Sequence, residues 1–355
     1  MGVKTVEGSY INRVMEQTRT RVWVNNPIAS EVDKGIEMNV VGATTNPTYV
    51  MKLHKRDDMR HIVEAEIDAL LPDEADDQRL VAELEKKMVG RIAGQLLPVF
   101  ERTQGERGFV AIQGNPFHDH DVDYMVQEAL DFFTVSPNII VKIPGTCAGV
   151  EAFKRLTAMN RRLIITSCVS LSQISAFQRA YQEVHAADGL SPQLFITTLA
   201  GPIDEFSKAY MAENGITVSD EALGVIGNQF SKLCYSYCQQ MHFPARLMGG
   251  GARSYSNFSE IVGGDMDSTL NYTFIEELNK LNLPIEDRVG QFCSEAVYSE
   301  LKKALPYYEA SCEPGILKNE EFDTHPPFIA FRSSFVKAWN YLTELVAARR
   351  AELNA

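Results

Sequence analysis

What most narrows the folds open to this chain is an alternation. Short apolar runs fall at 21–25, 40–46, 109–113, 138–143, 162–166, 193–197, 246–249 and 268–270. Between most of them lie stretches apolar at helical spacing: 80–100, 122–133, 150–159, 171–184, 219–241 and 286–305. A strand that returns through a helix pairs parallel to its predecessor and carries the helix on the outside. Eight such units in one chain suit a (β/α)8 TIM barrel better than a doubly wound sheet, and no Gly-x-Gly-x-x-Gly follows the first run. The reading is one α/β domain over 1–355, with an N-terminal extension and a last helix, 331–350, packed on the outside.

Composition permits this. Hydrophobic residues make up 45% of 355 residues and charged residues 23%, enough to bury a full core. Lys+Arg 34 against Asp+Glu 47 leaves −13, which argues against nucleic acid or anionic lipid as partners while leaving room for one small anion at a local basic spot. No apolar run is long enough to cross a bilayer, and the N-terminus has no hydrophobic signal region. Six scattered cysteines make no disulfide framework. A cytoplasmic protein with reduced thiols is expected. A homodimer stays open, because outer helix faces that meet solvent or a sister subunit look alike.

One residue disturbs the apolar pattern. Lys142 sits in Ile139-Ile-Val-Lys-Ile-Pro144, where a strand buried on both faces should carry no lone cation. It points opposite to Val141 and Ile143 and with Ile140. If its neighbours cover the outer face, Lys142 points into the barrel near the carboxyl-end mouth, where barrel enzymes keep their chemistry. A desolvated lysine can be a neutral amine at working pH and attack a carbonyl to form a Schiff base. The plainer alternative is an edge lysine with its stem on apolar surface and its head in water.

At this point the chain resembles the transaldolase family. Residues 138–153, Asn-Ile-Ile-Val-Lys-Ile-Pro-Gly-Thr-Cys-Ala-Gly-Val-Glu-Ala-Phe, are similar to its fourth-strand block, and Gly42-Ala-Thr-Thr-Asn-Pro-Thr48 to its second. Val22-Trp-Val-Asn-Asn26 is similar to its first strand, Thr166-Ser-Cys-Val-Ser-Leu-Ser-Gln173 to its fifth-strand exit, and Phe331-Arg-Ser-Ser-Phe335 to the start of its C-terminal helix. The resemblance implies a class I barrel that transfers a dihydroxyacetone unit between sugar phosphates without metal or cofactor. Lys142 would be the Schiff-base residue. Asn46 and Thr45 would hold substrate hydroxyls, Thr166 would position a water, and Arg253 with Gly250 and Gly251 would receive phosphate.

The departures gather at the site. Asn25 and Gln113 stand where the family has an aspartate and a glutamate, and Ile164 where it has an asparagine. Thr197 and Pro202 stand where it has a serine and an arginine, and a glycine replaces the serine that usually precedes Arg253. Asn and Gln do not shuttle protons near neutral pH. The same exchanges remove negative charge around Lys142 and dry it, which favours the neutral nucleophile. Glutamine at the strand-three position matches the related fructose-6-phosphate aldolases, but their strand-six tyrosine falls on Leu199 here. Three outcomes stay open: another residue moves the proton, the reaction is a different Schiff-base reaction such as a lyase, or the chain is a weak or inactive sugar-phosphate binder.

Two further constellations resemble metal spacing. His118-Asp-His120 follows the third strand in a loop, and Cys234, Cys238 and His242 are four apart on one helix. The first is read as an ordinary helix entry with acidic caps, the second as thiols packed in a helix face. Met248-Gly-Gly-Gly-Ala-Arg253 supplies backbone N–H groups that can cradle a phosphate. A plain loop explains the glycines equally well.

Overall fold

The computed structural model describes residues 8–353. Eight parallel strands close in chain order into a barrel: β1 Arg21–Asn25, β2 Gly42–Thr44, β3 Phe109–Gln113, β4 Ile139–Pro144, β5 Leu163–Thr166, β6 Leu194–Thr198, β7 Arg246–Gly249 and β8 Asp267–Asn271. Closure pairs β1 with β8 over five residues, Arg21↔Asp267 through Asn25↔Asn271.

The period of two sorts the strand residues. Val110, Ile112, Ile139, Val141, Ile143, Leu163, Ile165 and Ile196 face the helices in the main core. Trp23, Phe109, Ala111, Ile140, Ile164, Phe195 and Met248 fill the interior. Trp23 stacks on Phe109 at 5.8 Å, and Phe195 meets Trp23 edge-on at 5.3 Å. With each such side chain worth roughly 1.5–3 kcal/mol on burial, this plug makes the barrel a packed core and not a pore.

Polar residues occupy both ends of the same inward faces. At the floor, buried Asp267 accepts from Arg21 Nε (2.8 Å) and Nη2 (3.1 Å), from Trp23 Nε1 (2.6 Å) and from Arg246. At the mouth stand Asn25, Gln113, Lys142, Thr166, Thr197 and Thr269.

The N-terminal extension contains a helix, Tyr10–Gln17, with Ser9 accepting from the Asn12 N–H as its cap. Its Tyr10, Ile11 and Val14 pack with Val22, Val24, Ile275 and Leu278.

One expectation is corrected and another is extended. The stretch 286–305 is helical only over Glu295–Ala304. Ser294 caps that helix by accepting from Val297 N–H, and 286–294 is irregular around Gly290. The last helix, Pro326–Leu353, packs outside the barrel against the outer helices as expected, and its first half also reaches over the mouth, where Phe331, Ser334, Phe335 and Lys337 line the cavity. Arg332 fastens its start to Asp119 (2.5 Å) and to the Pro116 carbonyl, and Arg349 and Arg350 fasten its end to Asp68 and Asp77.

Candidate active site

β4 brings Lys142 into the barrel because Val141 and Ile143 take the outer face. Gln113 and Ile164 flank it in register. Only 6% of Lys142 is exposed. Its Nζ donates to the Thr45 backbone carbonyl at 2.8 Å. Burial alone pushes its pKa down, to about 7. A neutral amine held by one N–H to a carbonyl keeps its lone pair free.

The amine lies at the foot of a cavity of about 480 Å³, within the range of small-molecule sites. Asn25, Asn46, Gln113, Thr166, Thr197, Gly250, Gly251 and Arg253 line it as well, so the mouth gathers nearly all the residues singled out above. Buried Gln113 Oε1 and Thr197 Oγ1 have no hydrogen-bond partner among the described residues. Unpaired buried acceptors beside a buried amine are costly in a packed core and are a mark of a site that awaits a polar ligand.

Asn25 sits in a neutral chain. Its Nδ2 donates to Asn271 Oδ1 (2.9 Å), its Oδ1 accepts from Thr44 Oγ1 (3.0 Å), and Thr44 meets the Thr269 hydroxyl at 2.6 Å. Asn46 accepts with Oδ1 from the Thr48 N–H (3.0 Å) and hydroxyl (2.6 Å), which leaves its amide nitrogen for a ligand.

Thr45 does not act as expected. Its hydroxyl donates to the Ala111 carbonyl (2.8 Å), so it holds the amine through its backbone and offers no side chain to the cavity. The glycine turn also differs. Gly250 N–H is spent on the Thr198 carbonyl (2.9 Å), and the Arg253 and Ser254 N–H groups on Asn257 Oδ1. The N–H groups of Gly251 and Ala252 make no hydrogen bond among the described residues. Arg253 donates from Nε to Glu205 (3.1 Å) and from Nη1 to the Gly251 carbonyl (3.0 Å), leaving Nη2 uncommitted. Gly201 lets this turn approach, since a Cβ there would sit 2.0 Å from the Gly251 carbonyl.

A brace that no motif above assigned joins β4 and β5. Buried Gln173 donates to the Gly145 carbonyl (2.5 Å) and accepts from the Val169 and Ser170 N–H groups (2.8 and 3.0 Å), tying the exits of β4 and β5 together. That exit includes Ser167 in the left-handed region, φ 62°. Gln173 is legible as the third helical residue of a Ser-x-x-Gln capping box.

Among the described residues that line the cavity, no carboxylate replaces Gln113. Glu128 accepts from Asn115 N–H (3.1 Å), and burial pushes its pKa up to about 7. It lines a small gap behind the strands with Met125, Ala129, Val141 and Ile143, a gap that Gln113 and Lys142 also border, and it does not line the cavity over the amine.

The metal-like patterns resolve into packing. His118 stacks on Tyr124 at 3.8 Å, and Asp119 holds Arg332. Cys234 and Cys238 are buried beneath their helix, and their thiol pKa values are raised by burial. No group of three or more His, Cys, Asp or Glu that could hold a metal occurs among the described residues.

A dry amine at the carboxyl-end mouth of a parallel barrel is the setting that imine-forming chemistry uses. Sequence comparison agrees on lineage. The family model for transaldolase/fructose-6-phosphate aldolase matches residues 22–313, and the chain belongs to that family. A transaldolase of Thiobacillus denitrificans is 28% identical over 233 residues, 61% of this chain and 63% of the relative. Transaldolases of Mycobacterium bovis and Mycobacterium marinum are 28% identical over 145 residues, 40% of this chain and 38% of each relative. The matched part of the chain thus spans less than two thirds of the length of these relatives. No helix among the described residues is long and apolar enough to cross a membrane.

Proposed function

We propose that the protein is a Schiff-base enzyme of the transaldolase type, which moves a dihydroxyacetone unit between sugar phosphates through Lys142. The observation that carries this reading is the buried amine itself, held at 2.8 Å by the Thr45 carbonyl at the foot of an open cavity and pushed to a pKa of about 7.

The chemistry follows from that amine. Its lone pair adds to the C2 carbonyl of a ketose phosphate, and the carbinolamine oxygen leaves as water to give the imine. The water released in that step, held by Thr166, takes the C4 hydroxyl proton as the C3–C4 bond breaks, and returns it when the second aldose phosphate adds. The electron pair passes into the imine, forming an enamine, and an aldose phosphate departs. The enamine then adds to a second aldose phosphate, and water releases the new ketose. The Thr166 and Thr197 hydroxyls and the Gln113 amide hold the substrate oxygens and water, while Asn25 and Asn46 hold hydroxyls further out. Arg253, with the free N–H groups of Gly251 and Ala252, receives the phosphate.

One observation favours a second reading. The described lining contains no Asp or Glu, so proton transfer at the C4 hydroxyl has no side-chain base. Carbonyl capture would then outlast turnover, as in a slow lyase or a sugar-phosphate binder.

The test is borohydride reduction of the protein with fructose 6-phosphate or dihydroxyacetone, read as intact mass. A covalent adduct absent from Lys142→Ala is expected. No adduct with either compound would remove the chemistry and leave only binding. An adduct without exchange between sugar phosphates would select the second reading.

A further inference from the structure

The turn that leaves β7 and lines the cavity has no strand or helix to set its shape. Residues 250–254 are irregular, and Gly251 sits in the left-handed region, φ 64°. Such a stretch keeps one arrangement only where neighbouring groups hold it. Beyond the bond from Gly250 N–H to Thr198, the holding is done by a polar network outside the described lining of the cavity.

Asn257, on the short helix Ser256–Ser259, is the centre of that network and is buried. Its Oδ1 accepts from the Arg253 N–H at 2.9 Å and from the Ser254 N–H at 3.1 Å. Its Nδ2 donates to Asp204 Oδ2 at 2.9 Å and to Asn228 Oδ1 at 3.0 Å. All four hydrogen-bonding positions of the amide are therefore filled. Asp204 belongs to the helix Ala200–Asn214 and Asn228 to the helix Asp220–Gln240, both between β6 and β7. The other Asp204 oxygen accepts from the Gly227 N–H at 2.7 Å, and Asn228 Nδ2 donates to Ser256 Oγ at 3.1 Å. An amide can sit in its site either way round, and here one way is satisfied. A flipped Asn257 would turn its oxygen on the Asp204 carboxylate and its NH2 on two N–H donors. Glu205, next to Asp204, accepts from Arg253 Nε at 3.1 Å. One turn of one helix thus aims the arginine side chain directly and its backbone through Asn257.

We propose that Asn257 is a positioning residue for phosphate recognition and that Asp204 sets which way round it works. By engaging the Arg253 and Ser254 N–H groups, Asn257 leaves the Gly251 and Ala252 N–H groups and Arg253 Nη2 as the donors for a phosphate, on a turn that is already ordered. A turn without this hold would bear the ordering cost at each binding event. The inference rests on the reading above in taking this turn as the phosphate receiver; it does not need the imine.

The test is calorimetric titration of Lys142→Met, which cannot form an imine, with fructose 6-phosphate directly and with fructose by displacement. The phosphorylated sugar is expected to bind about a hundredfold more tightly, the ratio that two charge-assisted contacts supply. Adding Asn257→Ala should cut that preference to about tenfold, and adding Asp204→Asn instead should cut it by about threefold. The two together should do no more than Asn257→Ala alone, because Asp204 acts through Asn257. An unchanged preference in Asn257→Ala overturns the proposal, and so does a variant that weakens both sugars alike, which is what a merely structural residue would do. Losses that add in the combined variant overturn the role given to Asp204. Should Asn257→Ala not fold, Asp204→Asn alone decides: a threefold loss confined to fructose 6-phosphate supports the proposal, and no loss overturns it. Equal binding of the two sugars before any network change means that the turn receives no phosphate, and that part of the reading falls together with the proposal. Borohydride trapping on the unaltered protein reads the imine separately.

Discussion

The two ends of the barrel are built from the same inward positions of the same strands, yet they treat charge oppositely. At the floor the Asp267 carboxylate accepts from two arginines and Trp23, all from neighbouring inward faces. At the mouth a lysine, an arginine and three further lysines surround a cavity without a carboxylate in its described lining, and Gln113 Oε1 and Thr197 Oγ1 have no partner among the described residues. Saturated polar groups hold a fold in one arrangement, whereas unsaturated ones leave work for a ligand. The floor reads as stability and the mouth as function, which is the usual polarity of this fold.

The sharpest way to break the contrast is Lys142→Met. Adduct formation should vanish entirely, while thermal stability at neutral pH should hold or rise, since the change removes a desolvated amine and adds apolar surface. A large loss of melting temperature would mean that Lys142 is structural. Asp267→Asn should do the opposite. Arg21 loses its countercharge and Arg246 keeps only Asp265, so the fold should lose about 3–5 kcal/mol in urea unfolding while the folded fraction still traps substrate. Intact stability in that variant would show that the floor is not what holds the barrel closed.

A smaller effect comes from pH. The nucleophile is the neutral amine, so adduct formation should fall about tenfold per unit below pH 7 and level off above it. Stability carries the same signature. Between the folded value near 7 and the ordinary 10.5, the unfolded chain holds a proton that the folded chain lacks. Stability contributed at this position therefore rises with pH across that window, and the penalty is complete below 7. Lys142→Met should show its largest advantage near pH 6 and lose it toward pH 10. An advantage independent of pH would place the effect in packing and not in charge.

Much of this contrast was legible before any coordinates, and the parts that were not share a cause. β1, β3 and β7 match their apolar runs, and the other strands shift by only a residue or two, because a strand buried on both faces writes itself as a short apolar run. Lys142 stood out because it broke such a run. By contrast, 286–294 had helical spacing but no hydrogen-bonding reason to start before the Ser294 cap. Three further features escaped because they depend on distant chain. They are the placement of the C-terminal helix over the mouth, the commitment of the Thr45 hydroxyl to Ala111, and the loss of Gly250 N–H to Thr198. Lys337 had no local mark at all. Lys52 and Lys55 had a weak one, two cations three apart directly after the β2 exit.

The smallest expected change sharpens the comparison most, because Gln113→Glu gives the mouth what the floor already has. Gln113 is paired in register with Lys142 across β3 and β4, so a carboxylate there would stand beside the amine. An adjacent anion favours the ammonium and should raise the Lys142 pKa by at least about one unit. At pH 7 imine capture should then slow by at least about fivefold, and the plateau of the adduct profile should move to higher pH. The same carboxylate can accept a proton from the substrate, so exchange between sugar phosphates should quicken even as capture slows, more so when Asn25→Asp is added. Slower capture with faster exchange would mean that this mouth gained a dry nucleophile by giving up its base. Unchanged capture would mean that Gln113 does not face the amine in solution, and the register on which the mouth is built would be wrong.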